Sequence, residues 1–158
     1  MNEDRLGRLE QFCGPVSRET FDDLETLVEL LLRWNERINL ISPSTTAEVW
    51  ERHVLDSAQV HQYGVGVNTW ADLGSGGGFP GLVIATLLKG SGVGSIDLFE
   101  SNQKKAAFLS AAVSKLRLPA RVYPNRIESH VAGFPPPNIV TARALASKPR
   151  IVLMDEPF

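Results

Sequence analysis

Residues 70–81 read WADLGSGGGFPG, and this stretch decides the fold. Five glycines fall within residues 74–81, after a short apolar run and before a longer one. Glycine admits backbone conformations with positive φ and lets a ligand approach the main chain closely. A loop that runs from a strand end into a helix start also presents unpaired N–H groups and the positive end of the helix dipole. We therefore predict a ligand-binding loop between a strand and a helix.

Strands and helices alternate from Asn68 onward. The runs that predict strands are TWADLG, SIDLFES, ARVYPNRIES and PPPNIVTARA, and those that predict helices are FPGLVIATLLKG and NQKKAAFLSAAVSKLRL. This alternation indicates an α/β fold in which a parallel sheet is covered by helices on both faces. The predicted fold is Rossmann-like, with the glycine loop at the carboxyl edge of the sheet, where ligands commonly bind.

The amino-terminal part has a helical period instead. Between residues 17 and 40, apolar side chains recur every three or four positions, and these are Phe21, Leu24, Leu27, Val28, Leu31 and Leu32. Ser17 or Thr20 could cap this helix. A second helix is predicted from about Thr46, with Val49, Val54 and Leu55 facing inward.

Length and composition indicate one domain. The chain has 158 residues, of which 43% are hydrophobic and 22% charged. We divide the predicted domain into a helical cap, a Rossmann-like core and an atypical tail, over residues 1–66, 67–146 and 147–158. No apolar run approaches the ~20 residues of a membrane span, and we see no secretory signal at the start. We expect a monomer without membrane attachment.

The cysteine content indicates the redox compartment, and the charge distribution bears on nucleic-acid binding. The single cysteine, Cys13, excludes internal disulfides and indicates a reducing compartment, so we expect a cytoplasmic protein with a passive thiol in a mobile amino-terminal segment. The net charge of −2 hides an asymmetry, because residues 1–60 contain 6 basic and 12 acidic residues whereas residues 61–158 contain 10 and 6. Bulk charge does not indicate a nucleic-acid binder, but a local basic face on the second part remains open.

Two ligand classes compete for the glycine loop, beside a purely structural turn. Gly76-x-Gly78-x-x-Gly81 matches the dinucleotide fingerprint, although Pro80 is awkward for it, because a proline pushes the preceding residue away from helical geometry. The series Asp72, Gly74, Gly76, Gly78 resembles instead the first motif of class I S-adenosylmethionine methyltransferases, and we favour this second interpretation. Asp72 could orient the loop or meet the cationic amino-acid end of the cofactor.

Glu100 supports a nucleoside cofactor without choosing between these classes. It ends the second predicted strand, 24 residues after Gly76. A carboxylate at that position can accept hydrogen bonds from both hydroxyls of a ribose. Its alternative role is to cap the helix that starts near Asn102.

Several stretches together resemble one protein family. They are WNERINLIS, ERHVLDS, DLGSGGGFPGL, FESNQKKAAFL, NRIES and VTARALA, and in this order they are similar to the small-subunit ribosomal RNA methyltransferase G family, also called glucose-inhibited division protein B. The match covers about residues 20–146. The resemblance implies S-adenosylmethionine-dependent methylation of guanine N7 in bacterial 16S rRNA. It also implies that the RNA or a small ribosomal subunit particle is the partner.

The resemblance implies roles for individual residues near the cofactor. Gly74 and Phe79 match positions that contact the cofactor, Glu100 matches the ribose acid, and Ile127 with Glu128 match the pair on the adenine side. Ile127 could equally be a core residue.

Further residues match the family near the substrate. Arg143 matches an arginine of the cofactor and substrate site, and its alternative role is a surface ion pair. Arg52, His53 and Asp56 match a stretch that faces the mouth of the site, although His53 and Asp56 could simply bond to each other. We therefore take Arg143 and His53 as candidate catalytic residues. Lys104 and Lys105 could meet phosphates or form a solvated helix face.

The implied chemistry needs few catalytic groups. Guanine N7 has an available lone pair at neutral pH, so the enzyme must position the reactants and exclude water rather than supply a strong base. A guanine in folded RNA must be unstacked first, which favours a loop or single-stranded target. The sequence has no Cys, His and carboxylate spacing that indicates a metal site.

The tail departs from this pattern. Residues 142–158, ARALASKPRIVLMDEPF, resemble the Walker B segment of ABC transporter ATPases, with Asp155 and Glu156 at its end. ATP hydrolysis needs a G-x-x-x-x-G-K-[ST] phosphate loop, which the sequence lacks, so we expect no ATPase. We expect IVLM at the next strand position and a sheet whose later strands are truncated. An exposed apolar face, reduced stability and weak or absent methyl transfer would follow.

Two alternatives remain at the level of sequence. One is a methyltransferase that acts on a small molecule or a protein. The other is a fragment that binds S-adenosylmethionine without catalysis.

Overall fold

The computed structural model describes residues 2–143 and 149–152. Its α-helices are α1 (Asn2–Cys13), α2 (Arg18–Asn35), α3 (Asp56–His61), α4 (Gly81–Ser91) and α5 (Gln103–Leu116). Its strands are β1 (Thr69–Leu73), β2 (Ser95–Phe99), β3 (Ala120–Tyr123), β4 (Ile139–Arg143) and β5 (Pro149–Val152). Every strand and helix predicted between Asn68 and Arg143 is present, and the α/β Rossmann-like class is confirmed.

The sheet has the order β3-β2-β1-β4-β5. Strands β1 to β4 are parallel, and β5 is antiparallel to β4. In register, Leu73 lies beside Phe99 of β2 and beside Ala142 of β4. The central position of β1 therefore puts the glycine loop between the carboxyl ends of two neighbouring strands, which is where an open α/β sheet binds ligands.

One face of the sheet carries the apolar core. Trp70, Ile96 and Leu98 point to this face and are almost completely buried. Helix α4 lies against it, with the eight consecutive residues 81–88 buried, and α2, α3 and α5 pack around α4. Helix α4 is therefore the centre of the core and is enclosed on all sides, as its nearly continuous apolar sequence predicts.

The other face departs from the prediction that helices cover both sides. Within the described residues, the segment 127–137 covers it with two 3-10 turns, Ile127–Ser129 and Val131–Gly133. Three consecutive prolines, 135–137, explain the absence of a helix in this connection, because proline lacks the N–H that a helix interior needs. A cavity of about 380 Å³ remains between this segment and the sheet.

The amino-terminal helices follow the predicted period up to Asn35. The Ser17 hydroxyl caps α2 by accepting a hydrogen bond from the Thr20 N–H at 3.1 Å. The second predicted helix is a series of turns: a 3-10 helix at Pro43–Glu48, a π-helical turn at Trp50–Leu55, and α3. Its predicted inward residues are buried, with Val49, Val54 and Leu55 each 4% exposed or less.

The prediction of a mobile segment around Cys13 was wrong. Residues 2–13 form α1, whose Leu9 is completely buried in the core. The Cys13 thiol donates a long hydrogen bond to the Ala58 carbonyl at 3.8 Å. The sequence interpretation did not predict this helix, although Leu6, Leu9, Phe12 and Cys13 recur every three or four positions and pack into or against the core.

Cys13 is expected to react slowly with alkylating agents. Burial raises the pKa of its thiol from 9.0 to about 11. At pH 8 this leaves roughly 100-fold fewer thiolates than an ordinary cysteine has, and thiolate is the reactive form. Timed iodoacetamide labelling should therefore be slow in the folded chain, should accelerate up to pH 11, and should become fast at pH 8 in denaturant. Equal rates in folded and denatured protein would contradict this expectation.

The tail is described only in part. Strand β5, Pro149–Val152, lies beside β4 and includes Ile151 and Val152 of the predicted IVLM strand, whereas residues 153–158, with Asp155 and Glu156, lie outside the described residues. In the described part of the chain, no helix is long and apolar enough to cross a membrane. The predicted boundaries after residues 66 and 146 remain predictions.

Candidate functional site

The glycine loop leaves the end of β1 in a left-handed conformation. Gly74, Gly76 and Gly78 have φ values of 68°, 54° and 90°. The loop is fixed by the Ser75 N–H, which donates to the Phe99 carbonyl at 3.0 Å, and by the Gly78 N–H, which donates to the Ser75 carbonyl at 2.8 Å. A Cβ placed on Gly74 would meet nothing within 4 Å. The loop is therefore rigid but open on one side, which suits the close approach of a ligand.

Glu100 joins the loop to the start of α5. Its Oε2 accepts a hydrogen bond from the Gly76 N–H at 2.8 Å, and its Oε1 accepts one from the Asn102 N–H at 3.1 Å. The side chain is only 9% exposed. Each carboxylate oxygen can accept a second bond, so the two roles considered from sequence, helix cap and ribose acceptor, are compatible.

Asp72 lies beneath the loop. It is fully buried, and its Oδ1 accepts a hydrogen bond from the Thr141 hydroxyl of β4 at 2.8 Å. A Cβ on Gly81 would come within 2.5 Å of Asp72 Oδ2. This geometry favours the role of orienting the loop over contact with the cationic end of a cofactor.

His53 packs against the glycine loop. Its ring stacks on Phe79 with centroids 4.8 Å apart, and its Nε2 lies 3.0 Å from Thr45 Oγ1. Both rings are buried, His53 being 8% exposed and Phe79 4%. Arg52 pairs with Glu48 at 3.0 Å on the surface. The structure thus brings two predicted site residues, His53 and Phe79, into contact, although they are far apart in sequence.

The remaining predicted residues lie near the same edge of the sheet. Ile127 lines the 380 Å³ cavity together with Leu73 and Phe99, the last residues of β1 and β2. Glu128 is exposed on the same 3-10 turn. Arg143 ends β4, one residue beyond the Leu73–Ala142 pair. In the described residues, no group of three or more His, Cys, Asp or Glu side chains could hold a metal ion.

These features have a counterpart in known proteins. The sequence model of one family, described as rRNA small subunit methyltransferase G, matches residues 20–158. The chain belongs to this family. The match extends past residue 146, where the motifs recognised in the sequence end, and whether the tail is related to Walker B segments remains untested.

Individual members of the family are similar along the whole chain. A protein named "Ribosomal RNA small subunit methyltransferase G" from Chelativorans sp. is 48% identical over 158 residues, which are 100% of this chain and 75% of that protein. Proteins of the same name from Brucella canis and Brucella suis are each 47% identical over 154 residues, which are 98% of this chain and 72% of theirs. A methyltransferase is therefore the class of enzyme to which the site belongs.

Sequence reasoning missed one element of this methyltransferase site, the turn after α2. Asn35 Oδ1 accepts hydrogen bonds from the N–H groups of Leu40 at 2.9 Å and Ile41 at 3.1 Å. The Leu40 carbonyl oxygen would lie 2.6 Å from a Cβ on Gly77, so this turn rests directly on the glycine loop. The family resemblance of the stretch WNERINLIS pointed to this segment. The apolar period of residues 17–40, however, predicted that the helix continues up to residue 40.

Asn35→Ala is expected to weaken binding of S-adenosylhomocysteine about tenfold. The variant loses the acceptor of two N–H groups, each worth about 1 kcal/mol, and frees Leu40 to move away from Gly77. Asn35→Asp keeps an acceptor oxygen and should bind within about threefold of the parent chain. Calorimetric titration measures the affinity of both variants, and thermal melting compares their stability. The exposed Asn39→Ala is the control, and equal losses in the Ala and Asp variants would contradict the proposed role.

Proposed function

We propose that this chain transfers a methyl group from S-adenosylmethionine to N7 of a guanine in 16S rRNA. Membership of the rRNA small subunit methyltransferase G family supports the reaction class, and the names of its relatives support a ribosomal RNA substrate. The observation that carries the cofactor assignment is the Glu100 carboxylate, which is held against Gly76 at the carboxyl edge of the sheet. The N7 position, the cytoplasmic location and a monomeric state belong to the same proposal.

The residues present suit S-adenosylmethionine. Gly74 has open space beside its backbone, and a Cβ on Gly76 would meet only the Gly74 carbonyl oxygen, at 3.8 Å, which leaves room for the amino-acid and ribose parts of the molecule. Glu100 has remaining lone pairs for ribose hydroxyls, and we propose Ile127, which lines the cavity with Phe99, and Glu128 for the adenine side. The bound cofactor would supply an electrophilic methyl group.

The chain's own residues then position the reactants and exclude water. The lone pair of guanine N7 needs no base, so a buried histidine is not required for proton transfer. We assign His53 a positioning role, because its ring is held between Phe79 and Thr45 and supports the wall of the loop. An arginine at the end of β4 is suited to guanine O6 or a phosphate through its planar fork of donors, and we propose Arg143 for this contact.

Titration of S-adenosylhomocysteine into the purified chain, by calorimetry, tests the cofactor assignment. Gly76→Asp should abolish saturable binding, because a side chain would fill the open side of a position that also requires φ of 54°. Gly66→Asp is the matched control, because Gly66 also has positive φ, at 82°, and open space around it. No binding by a parent chain that circular dichroism shows to be folded would contradict the assignment.

Methylation of 16S rRNA is the second test. Transfer of a labelled methyl group to the RNA, followed by mapping of the modified base, should identify 7-methylguanine. Cofactor binding without transfer to naked RNA or to small-subunit particles would select the non-catalytic alternative. Transfer only to proteins or small molecules would contradict the proposed substrate.

A further inference from the structure

A groove lies at the carboxyl end of α2, outside the site described above. It has a volume of about 390 Å³ and is lined by Arg33, Trp34, Glu36, Arg37 and Ile38. Both arginines are exposed, whereas Trp34 and Ile38 are half-buried and form the apolar part of the lining. We call these five residues the α2-end groove.

Among the residues that the structure describes, no ion pair neutralises the two arginines of the α2-end groove. In the part of the chain that the structure describes, the basic residues with a carboxylate within 4.0 Å are Arg5, Arg8, Arg18, Arg52 and Lys89. Glu36 is the one acid that lines the groove, so its two guanidinium groups outnumber the carboxylate. The groove therefore presents net positive charge to solvent.

Helix α5 brings a third cation to the same end of the molecule. Lys89 Nζ donates to Asp23 Oδ2 at 2.6 Å and to the Leu116 carbonyl at 3.0 Å, so the start of α2 lies beside the end of α5. Trp34 contacts Phe108 with ring centroids 5.8 Å apart. The two helices are thus antiparallel, and the exposed Lys104, one helical turn before Phe108, lies at the end of α5 that adjoins the groove.

This basic end adjoins the mouth of the cofactor site. The α2-end groove leads directly into the turn in which Asn35 holds Leu40, and the Leu40 carbonyl rests on Gly77. Helix α5 begins just after Glu100, whose other oxygen holds Gly76. The α2-end groove is therefore linked to the glycine loop through the Asn35 turn, and helix α5, which carries Lys104, is linked to it through Glu100.

We propose that the α2-end groove and Lys104 bind the phosphodiester backbone of the substrate RNA and position it at the methyl-transfer site. The inference rests on the proposed function. Guanidinium groups suit phosphate oxygens, and an indole beside them offers a surface for a ribose or an unstacked base. These contacts carry no base information, so they fix the register of the RNA and leave the choice of guanine to the site itself.

The test uses the full chain with Arg33→Gln, Arg37→Gln and Lys104→Gln combined. The control combines Arg18→Gln, Lys115→Gln and Arg117→Asn, which removes three charges from the opposite ends of the same two helices. Asparagine is chosen at position 117 because Arg117 has φ of 51°. Binding to transcribed 16S rRNA is measured by filter retention between 0.05 and about 0.3 M salt. S-adenosylhomocysteine affinity is measured in parallel.

The groove variant is expected to lower the slope of log Kd against log salt by about 2, which corresponds to about 100-fold weaker binding at 0.1 M salt. Its S-adenosylhomocysteine affinity should remain at the parental value, and the control should match the parent in both measurements. Equal RNA binding by the groove variant and the control would overturn the proposed RNA-binding role of the groove while leaving the proposed function intact. A parent chain that binds S-adenosylhomocysteine but no rRNA would overturn both the proposed rRNA substrate and the RNA-binding role of the groove.

Discussion

Glu100→Ala is expected to weaken S-adenosylhomocysteine binding by at least about 100-fold, equivalent to about 2.7 kcal/mol. The carboxylate holds the Gly76 N–H at 2.8 Å and the Asn102 N–H at 3.1 Å, so its loss releases both the glycine loop and the start of α5. A hydrogen bond to a charged group is worth about 1.5–3 kcal/mol, so the two bonds together exceed the expected loss. The same change removes the acceptor that we propose for the ribose hydroxyls.

A graded series separates this role from general damage. Glu100→Gln keeps one acceptor oxygen and gains an NH₂ group that cannot accept, so it should lie between the parent and Glu100→Ala, at about a tenfold loss. Glu29→Ala removes an exposed carboxylate from α2 and should bind normally. Calorimetry gives the affinities, and circular dichroism shows whether each variant is folded. Parental affinity in a folded Glu100→Ala chain would refute the assignment of this carboxylate.

Gly81→Ala is expected to lower the free energy of unfolding by about 2 kcal/mol, within the range for an overpacked core. The added Cβ would lie 2.5 Å from Asp72 Oδ2 and 2.6 Å from Leu98 Cδ2. Neither atom can retreat easily, because Asp72 is fully buried and bonded to Thr141, and Leu98 belongs to the central part of the sheet. The expected loss corresponds to a fall in Tm of about 6 °C for a domain of this size.

Gly7→Ala provides the matched control for this substitution. Gly7 lies inside α1, is exposed, and has nothing within 4 Å of an added Cβ. Alanine there should raise the stability by up to about 1 kcal/mol, because it is the better helix former. Denaturant unfolding measures the free energy of unfolding of the two variants and the parent. A Gly81→Ala chain at least as stable as Gly7→Ala would show that the site beneath the loop is not tightly packed.

Local patterns were enough to predict most elements of the fold. The period of apolar residues located α2, longer runs located α4 and α5, and short apolar runs located β1 to β4. The prediction missed α1, although its apolar residues recur at helical spacing, and it failed where a side chain stops a regular period. Helix α2 ends at Asn35 although the apolar pattern continues, because the Asn35 side chain binds the backbone of Leu40 and Ile41 in a turn.

The candidate site was only partly predictable. The glycines of the loop and Glu100 could be placed, because each directly follows or ends a predicted strand. The contacts of His53 could not, since its ring meets Phe79 and Thr45, which belong to other segments of the chain. Sequence spacing predicts neighbours within one element, whereas these contacts depend on how different elements pack.

The sequence by itself determined the class of the fold, the position of the glycine loop and the residue types that can meet a nucleoside cofactor. These properties depend on local periodicity and on the conformational freedom of glycine, which act over a few residues. Only the tertiary structure decided that Glu100 holds Gly76, that the Asn35 turn supports Gly77, and that Trp34 of the α2-end groove meets Phe108 of α5. Such long-range pairs are decided when burial of the core fixes the strand order and the antiparallel packing of α2 on α5, because residues distant in sequence then become neighbours.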